Sequence, residues 1–248
     1  MKKIKYIIIL LALTDVFLSG CKKNLETEGL SKVTYYPEIT MNGDATVFVS
    51  GGTAFNDPGA TATANGQPIT VTTPVVGDYF TYSGTTVDVT KSNRYFINYT
   101  AVNSDGFAGS VTRTVYVAYN GDLVNSIEGL YTSTVVRNGA SSAQYTNMEY
   151  VMIRKTGTNT YELSDGIGGY YDLGRGYGSA YRARHATVTA NNIATNDFSY
   201  GPAFGVGAFP GSATIGSMTV NPGAKTIQFT TVWDQGFTFV VTLSQVQF

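Results

Sequence analysis

The chain has 248 residues, of which 43% are hydrophobic, and its 16 lysines and arginines nearly balance its 17 aspartates and glutamates. A chain of this length can bury a core and allows one or two domains. Because the formal net charge is −1 and no basic cluster is present, the counterion release that drives nucleic-acid binding has no source, and we expect no nucleic-acid partner.

Residues 1–20 have the layout of a secretory signal peptide. Lysines at positions 2, 3 and 5 precede an apolar stretch at residues 6–13, and Ser19 and Gly20 supply the small residues of a cleavage site. The apolar stretch is too short to span a bilayer, which takes about 20 residues. The run Leu18-Ser19-Gly20-Cys21 resembles the lipoprotein signal of bacteria, in which the cysteine is lipidated and becomes the new N-terminus.

Cys21 is the only cysteine, so it cannot form an intramolecular disulfide, and lipidation gives its thiol a role. Two or more acyl chains anchor a protein stably, at about 0.8 kcal/mol per buried methylene. We therefore predict that residues 21–33 are a lipidated cysteine and a polar linker, and that acylated Cys21 inserts into outer-membrane lipid.

The residues after Cys21 bear on which membrane the protein reaches. Lys22 stands where an aspartate retains many bacterial lipoproteins at the inner membrane. Glu26 and Glu28 resemble the acidic surface-export signal of Bacteroidetes lipoproteins. The predicted location is the outer membrane, at the cell surface, with the periplasmic face of that membrane as the alternative.

Residues 34–119 contain short runs of alternating apolar and polar residues separated by turn residues, a pattern typical of a β-sandwich. Seven such runs fit an immunoglobulin-like sandwich. In the sixth run, Tyr95, Ile97, Tyr99 and Ala101 share one face, which predicts a core strand. The predicted strands are residues 38–41, 46–49, 60–64, 69–73, 85–90, 94–102 and 111–117.

The charged residues of this region predict no metal site. Arg113 interrupts the apolar face formed by Val111, Val115 and Val117. The aspartates stand singly, without the clustered oxygen ligands that calcium requires. We interpret them as turn and surface residues: Asp57, Asp78, Asp88 and Asp105.

Three segments of the same region are similar to the bacterial Ig-like repeat of many Bacteroidetes surface proteins. The resemblance covers about residues 34–118 and implies the same sandwich fold. The segments are Phe55-Asn56-Asp57-Pro58-Gly59-Ala60, Tyr95-Phe96-Ile97-Asn98-Tyr99-Thr100-Ala101 and Thr112-Arg113-Thr114-Val115-Tyr116-Val117.

A second domain is predicted over residues 125–248, after the linker Asn120-Gly121-Asp122. Many short runs with no helical stretch between them favour an antiparallel barrel or sandwich, so the whole chain is predicted to be all-β. We prefer a small lipocalin-like barrel because Gly129 and Tyr131 resemble the first-strand signature of that group. The predicted strands are residues 127–136, 145–155, 160–164, 186–190, 193–199, 213–220, 226–233 and 237–245.

Residues 161–171 and 174–178 are similar to the C-terminal domain of a Bacteroidetes surface lipoprotein family of unknown function. Members of that family carry an Ig-like domain followed by this β-rich domain. They tend to be associated with SusC/SusD-type systems that import glycans. The resemblance therefore implies a carbohydrate-handling accessory with SusC/SusD-like partners.

Residues 165–181 combine six glycines with four tyrosines and one arginine. Tyrosine rings pack on the apolar faces of sugars while polar groups bond the sugar hydroxyls, so this composition predicts a glycan site. The alternative is a well-packed loop whose rings cover the core. Residues 200–211, with Phe204 and Phe209, are expected at the same end of the domain. The candidate ligand-binding residues are Tyr170, Tyr171, Arg175, Tyr177, Tyr181 and Trp233.

Enzymatic chemistry has little support in the sequence. No Gly-x-Ser-x-Gly elbow is present, and the single histidine, His185, supports neither a catalytic triad nor the usual zinc ligand sets. We therefore predict no catalytic residues, no metal and no cofactor. One enzymatic alternative is a glycosidase that uses two carboxylates. Its candidate residues are Glu149, Glu162, Asp165 and Asp172.

The sequence thus predicts a non-catalytic, lipid-anchored outer-membrane protein that binds extracellular polysaccharide or oligosaccharide as an accessory of a nutrient uptake system. The Ig-like domain is expected to be a spacer and the C-terminal domain to contact the glycan. The alternative is a structural or protein-interaction module that docks on an outer-membrane partner through exposed aromatic residues.

Overall fold

The structure is a computed structural model that describes residues 33–248. The predicted signal peptide, Cys21 and nearly all of the predicted linker lie outside these described residues. Pro37–Phe248 form one compact unit. Across the described part of the chain, no helix has the length and hydropathy needed to cross a membrane.

The first nine strands form two sheets that share one core. One sheet has the order β1-β3-β4, and the other has the order β2-β9-β8-β6-β7 with β5 paired to β8. Strand β2 runs parallel to β9, and the other pairs are antiparallel. The strands are β1 (Glu38–Met41), β2 (Thr46–Ser50), β3 (Ala60–Ala64), β4 (Gln67–Ile69), β5 (Val71–Thr72), β6 (Val75–Gly77), β7 (Tyr82–Gly84), β8 (Asn93–Val102) and β9 (Ala108–Ala118).

The core of this sandwich follows the alternation in the sequence. Tyr95, Ile97, Tyr99 and Ala101 of β8 are at most 1% exposed, because every second residue of a strand points to the same face. They pack with apolar residues from both sheets. The predicted immunoglobulin-like sandwich is confirmed.

The predicted strand at residues 85–90 is wrong. Local hydrogen bonds hold this stretch in a turn: the Asp88 carboxylate accepts from the backbone N–H and the hydroxyl of Thr90, at 3.0 and 2.5 Å. The Tyr95 hydroxyl also donates to the Asp88 carbonyl oxygen at 2.9 Å. Such side-chain bonds compete with a strand ladder, and the places beside β8 are taken by β5 and β6.

Arg113, which breaks the apolar alternation of β9, is fully buried. Its guanidinium forms an ion pair with Asp57 and donates to the carbonyl oxygens of Asp44 (2.9 Å) and Asn42. It also donates to the Tyr99 hydroxyl at 2.5 Å. A buried charge is tolerated because an opposite charge and several acceptors satisfy it.

The remaining nine strands form a single antiparallel sheet. Its order is β14-β13-β12-β11-β10-β18-β17-β16-β15. The strands are β10 (Gly129–Arg137), β11 (Met148–Gly157), β12 (Thr160–Leu163), β13 (Ala186–Asn192), β14 (Asp197–Tyr200), β15 (Phe204–Gly205), β16 (Ser212–Asn221), β17 (Thr226–Trp233) and β18 (Phe237–Gln245).

This sheet curls until its two ends approach each other. Val220 of β16 donates its backbone N–H to the side chain of Asn196, beside β14, at 2.7 Å. No strand ladder joins the two ends within residues 33–248. The predicted all-β class is confirmed, and the C-terminal domain is a curled antiparallel sheet.

The interior of the curled sheet is filled by the chain itself. Residues 164–185, called the connecting segment below, link β12 to β13, and Ile167 is fully buried in the core of the sheet. Two buried hydroxyls hold the segment: Ser133 donates to the Gly168 carbonyl at 2.8 Å, and Thr231 donates to the Gly166 carbonyl at 2.6 Å.

Apolar and aromatic side chains join the two domains. Tyr79, Phe80 and Tyr116 of the Ig-like domain share a buried cluster with Leu130 and Met152 of the C-terminal domain. An apolar interface of this kind opposes independent domain motion. The Ig-like domain is therefore docked on the C-terminal domain.

Charged groups reinforce the same junction. Arg182, almost fully buried, lies between the carboxylates of Asp172 and Asp78, at 2.6 and 3.1 Å. Arg184 donates to the Tyr79 carbonyl at 2.7 Å. The interpretation of Asp78 as a surface residue is wrong, because its carboxylate also pairs with Arg94 and is nearly buried at the junction.

Candidate functional site

The connecting segment makes one π-helical turn at Tyr170–Gly174. The backbone N–H groups of Gly174 and Arg175 donate to carbonyl oxygens five residues earlier, both at 3.0 Å. Gly168 and Gly169 precede the turn with φ of 69° and 77°, which favours glycine. Such turns are rare and frequent at functional sites. Here the turn directs its first two tyrosines inward and leaves Arg175 at the surface.

The turn is surrounded by rings from four parts of the domain, called the aromatic cluster below. Its centre is Tyr171, whose ring centroid lies 5.1 Å from that of Tyr170 and 4.7 Å from that of Phe209. Tyr177 stacks on Tyr171 at 6.1 Å. The members are Tyr145, Tyr170, Tyr171, Tyr177, Tyr181, Phe209, Trp233 and Phe237.

The structure brings all six predicted ligand-binding residues to this cluster but exposes them unequally. Tyr170, Tyr171 and Trp233 are buried, at 2%, 7% and 4% exposure. Tyr181 is half-buried, Arg175 is exposed, and the Tyr177 side chain is 48% exposed. A ligand can therefore reach the rings of Tyr177 and Tyr181 directly, and the buried rings support these two from behind.

A cleft of about 360 Å³ opens beside the turn. The sequence analysis did not identify Arg137, one of the main residues of this cleft. The sequence feature that could have indicated it is its position as a basic residue at the end of β10, before the turn Asn138-Gly139. We call this site the arginine cleft. The residues that matter for its chemistry are Arg137, Ser141, Tyr145, Tyr170, Arg175 and Phe237.

Two guanidinium groups of the arginine cleft lie over aromatic rings. The Arg137 Cζ atom is 4.9 Å from the Tyr170 centroid and 4.8 Å from that of Phe237. The Arg175 Cζ atom is 5.8 Å from the Tyr170 centroid and 5.9 Å from that of Tyr145. These distances fit cation–π contacts, which orient both cations.

Three of the four carboxylates considered for a glycosidase make structural contacts, and the fourth, Glu149, is exposed. Burial raises the pKa of Asp165 to about 6, and its Oδ1 atom accepts from the Ile167 N–H at 2.9 Å. Asp172 pairs with Arg182, and Glu162 pairs with Arg154 at 2.6 Å.

The single histidine stands away from the aromatic cluster. The side chain of His185 is 82% exposed, and its Nδ1 atom lies 3.4 Å from the Glu162 carboxylate. Among the residues that the structure describes, no three histidine, cysteine or acidic side chains are grouped so as to hold a metal ion.

Two family models match the chain and divide it at the same point as the fold. The model "Bacterial surface protein, Ig-like domain" matches residues 39–117. A second model, described as a C-terminal domain, matches residues 120–245. The chain belongs to the family defined by this C-terminal domain. The prediction of an Ig-like surface domain followed by a β-rich family domain is thereby confirmed, and the SusC/SusD association stays a prediction.

A solved structure shares the fold of both domains. The crystal structure of the lipoprotein BT2262 from Bacteroides thetaiotaomicron is 25% identical, with a TM-score of 0.61, and the match covers 85% of this chain and 100% of that one. No curated protein matches the chain. The Ig-like family model describes a bacterial surface protein, and the structural neighbour is a lipoprotein.

Proposed function

We propose that this chain is a non-catalytic, lipid-anchored protein of the outer membrane that binds extracellular glycan at the aromatic cluster. The single observation that carries the proposal is the exposure of Tyr177, whose ring stacks on Tyr171 and lies against Tyr181 at 5.2 Å. The similarity to a Bacteroides lipoprotein supports the anchor. In the same proposal the protein serves a glycan uptake system with SusC/SusD-like partners.

The surroundings of Tyr177 support sugar binding over mere packing. Tyr177 stacks on Tyr171 at a centroid distance of 6.1 Å, and the residue is 48% exposed, so part of its ring is open to a ligand. The Tyr181 ring lies 5.2 Å from that of Tyr177, so its hydroxyl can bond the hydroxyls of a sugar stacked there, and Arg175 stands two residues before Tyr177 in the chain. Aromatic faces with a few polar groups are the usual composition of carbohydrate sites.

The test is affinity electrophoresis of the full-length protein in detergent, in native gels that contain polysaccharides. We expect retardation by at least one polysaccharide. Tyr177→Ala should weaken the binding about tenfold or more, because the lost stacking is worth roughly 1.4 kcal/mol. The matched control is Phe107→Ala, which removes an exposed ring from the hairpin between β8 and β9 of the Ig-like domain.

Two results would contradict the proposal. One is the absence of retardation across neutral and acidic polysaccharides. The other is retardation that Tyr177→Ala and Phe107→Ala reduce equally. Co-purification with an outer-membrane protein in the absence of glycan retardation would favour the docking alternative, in which the exposed aromatic residues contact protein.

A further inference from the structure

Arg137 and Arg175 are two cations without an anion. Neither forms an ion pair within residues 33–248, although two other guanidiniums of the C-terminal domain, on Arg154 and Arg182, pair with carboxylates. The one hydrogen bond shown from the Arg137 guanidinium goes to the Tyr171 hydroxyl, at 3.4 Å. Arginine offers five N–H donors, so both residues keep most of their donors for a ligand.

Both guanidiniums converge on one ring. Each lies within 6 Å of the Tyr170 centroid, and Tyr170 is buried and held by the π-helical turn. Like charges directed at one place repel each other, and the repulsion is relieved when an anion binds between them. The rings beneath the guanidiniums favour these positions, which lowers the cost of ordering the two side chains for a ligand.

The rest of the arginine cleft has the character of a sugar site. Its volume of about 360 Å³ can hold one or two sugar rings. Phe237 and Tyr145 supply apolar faces, and Ser141 supplies a hydroxyl that can bond sugar hydroxyls. We propose that the arginine cleft binds an acidic sugar, with the anionic group between Arg137 and Arg175; the proposal rests on the proposed glycan function. Planar guanidiniums suit carboxylate and sulfate groups alike, since both accept paired N–H donors.

The experiment measures binding of the full-length protein in detergent to immobilised polysaccharides by biolayer interferometry. Polygalacturonate carries carboxylates and dextran sulfate carries sulfates. Their uncharged counterparts are methyl-esterified polygalacturonate and dextran. We expect at least tenfold tighter binding to one acidic polymer than to its uncharged counterpart, and the polymer that binds identifies the anionic group.

The variants are Arg137→Gln and Arg175→Gln. Each should weaken binding to the acidic polymer at least tenfold and remove most of its preference over the uncharged counterpart. Lys225→Gln removes the same charge from the opposite end of β17 and should have little effect, which separates a local site from a general electrostatic one. Arg175 is exposed, so its variant should fold as the parent does.

The outcomes distinguish this inference from the proposed function. Equal binding to acidic and uncharged polymers, or acidic binding that Lys225→Gln weakens as much as the arginine variants, would overturn the acidic-sugar subsite and leave glycan binding intact. Binding to none of the four polymers would count against both. Selective acidic binding that both arginine variants abolish would establish the subsite.

Discussion

Within residues 164–181 of the connecting segment, the inner half (residues 164–172) and the outer half (residues 173–181) have the same glycine- and tyrosine-rich composition but differ in exposure. A Cβ atom added to Gly168 in the inner half would meet the side chains of Val241, Ser133 and Val135 at 2.5 to 2.8 Å. A Cβ atom added to Gly176 in the outer half would meet nothing within 4 Å. The same composition is therefore packed in the interior at Gly168 of the inner half and open to solvent at Gly176 of the outer half.

Among the glycine substitutions that compare the two halves, Gly168→Ala is expected to lower the free energy of unfolding most. The left-handed backbone costs alanine about 1–2 kcal/mol, and the clash in the packed interior costs about 1–3 kcal/mol more. Chemical denaturation should show a loss of roughly 2–5 kcal/mol. The control is Gly176→Ala, which has the same backbone strain and no clash and should lose only about 1–2 kcal/mol. Equal losses would refute the packing difference.

A second comparison uses the tyrosines of the two halves. Tyr170→Ala leaves a cavity under Arg137 and beside Phe239, and should cost about 3–5 kcal/mol of unfolding free energy. Tyr177→Ala removes a ring that is nearly half exposed and should cost less than about 1 kcal/mol. Thermal unfolding of both variants measures the difference, and a comparable drop in melting temperature would show that Tyr177 is a core residue.

A smaller effect concerns pH and the buried carboxyl of Asp165. Its folded pKa of about 6 lies above the unfolded value near 4, so the folded state holds an extra proton between these values. This contribution to stability is fully present below pH 4 and is lost as the pH rises through 6. Asp165→Asn should remove up to about 3 kcal/mol of pH dependence across that window.

The matched control for this pH effect is Asp234→Asn, on the exposed turn after β17. Hydrogen bonds from Gln235 and from Ser212 lower the pKa of Asp234, so its contribution to stability is present above the unfolded pKa and is lost as the pH falls. Asp165→Asn should therefore change the slope of stability against pH between pH 4 and 7, whereas Asp234→Asn should change it only below about pH 4 and in the opposite direction. Identical slopes in urea titrations at pH 4 and pH 7 would contradict the assigned protonation of Asp165.

Much of the fold was predictable because strand alternation is a local property. The strands β1, β3, β17 and β18 have the predicted bounds, since each alternates over its whole length. The short strands β6 and β7 were not predicted, because three residues are too few to show a period and their pairing with β8 is nonlocal. The turn at Asp88 was mistaken for a strand because its threonines and valines also favour strands.

The sequence predicted which residues lie at the candidate site but not which of them are exposed. The six named residues do meet at one cluster, which the clustering of glycines and tyrosines in sequence indicated. Which rings are buried depends on the π-helical turn and on Ser133 and Thr231, two residues from distant strands. Arg137, more than 30 residues before Tyr170, joins the site only through the sheet.

The sequence alone established the all-β class, the division near residue 120 and the face of β8 that forms the core. These features follow from hydrophobic periodicity and turn chemistry, which act between neighbours along the chain. The tertiary structure decided that Arg113 and Asp78 are buried, that the connecting segment fills the curled sheet, and that the guanidiniums of Arg137 and Arg175 lie over one tyrosine ring. Those outcomes depend on contacts between residues far apart in the chain, where burial and charge pairing are settled by packing and not by local propensity.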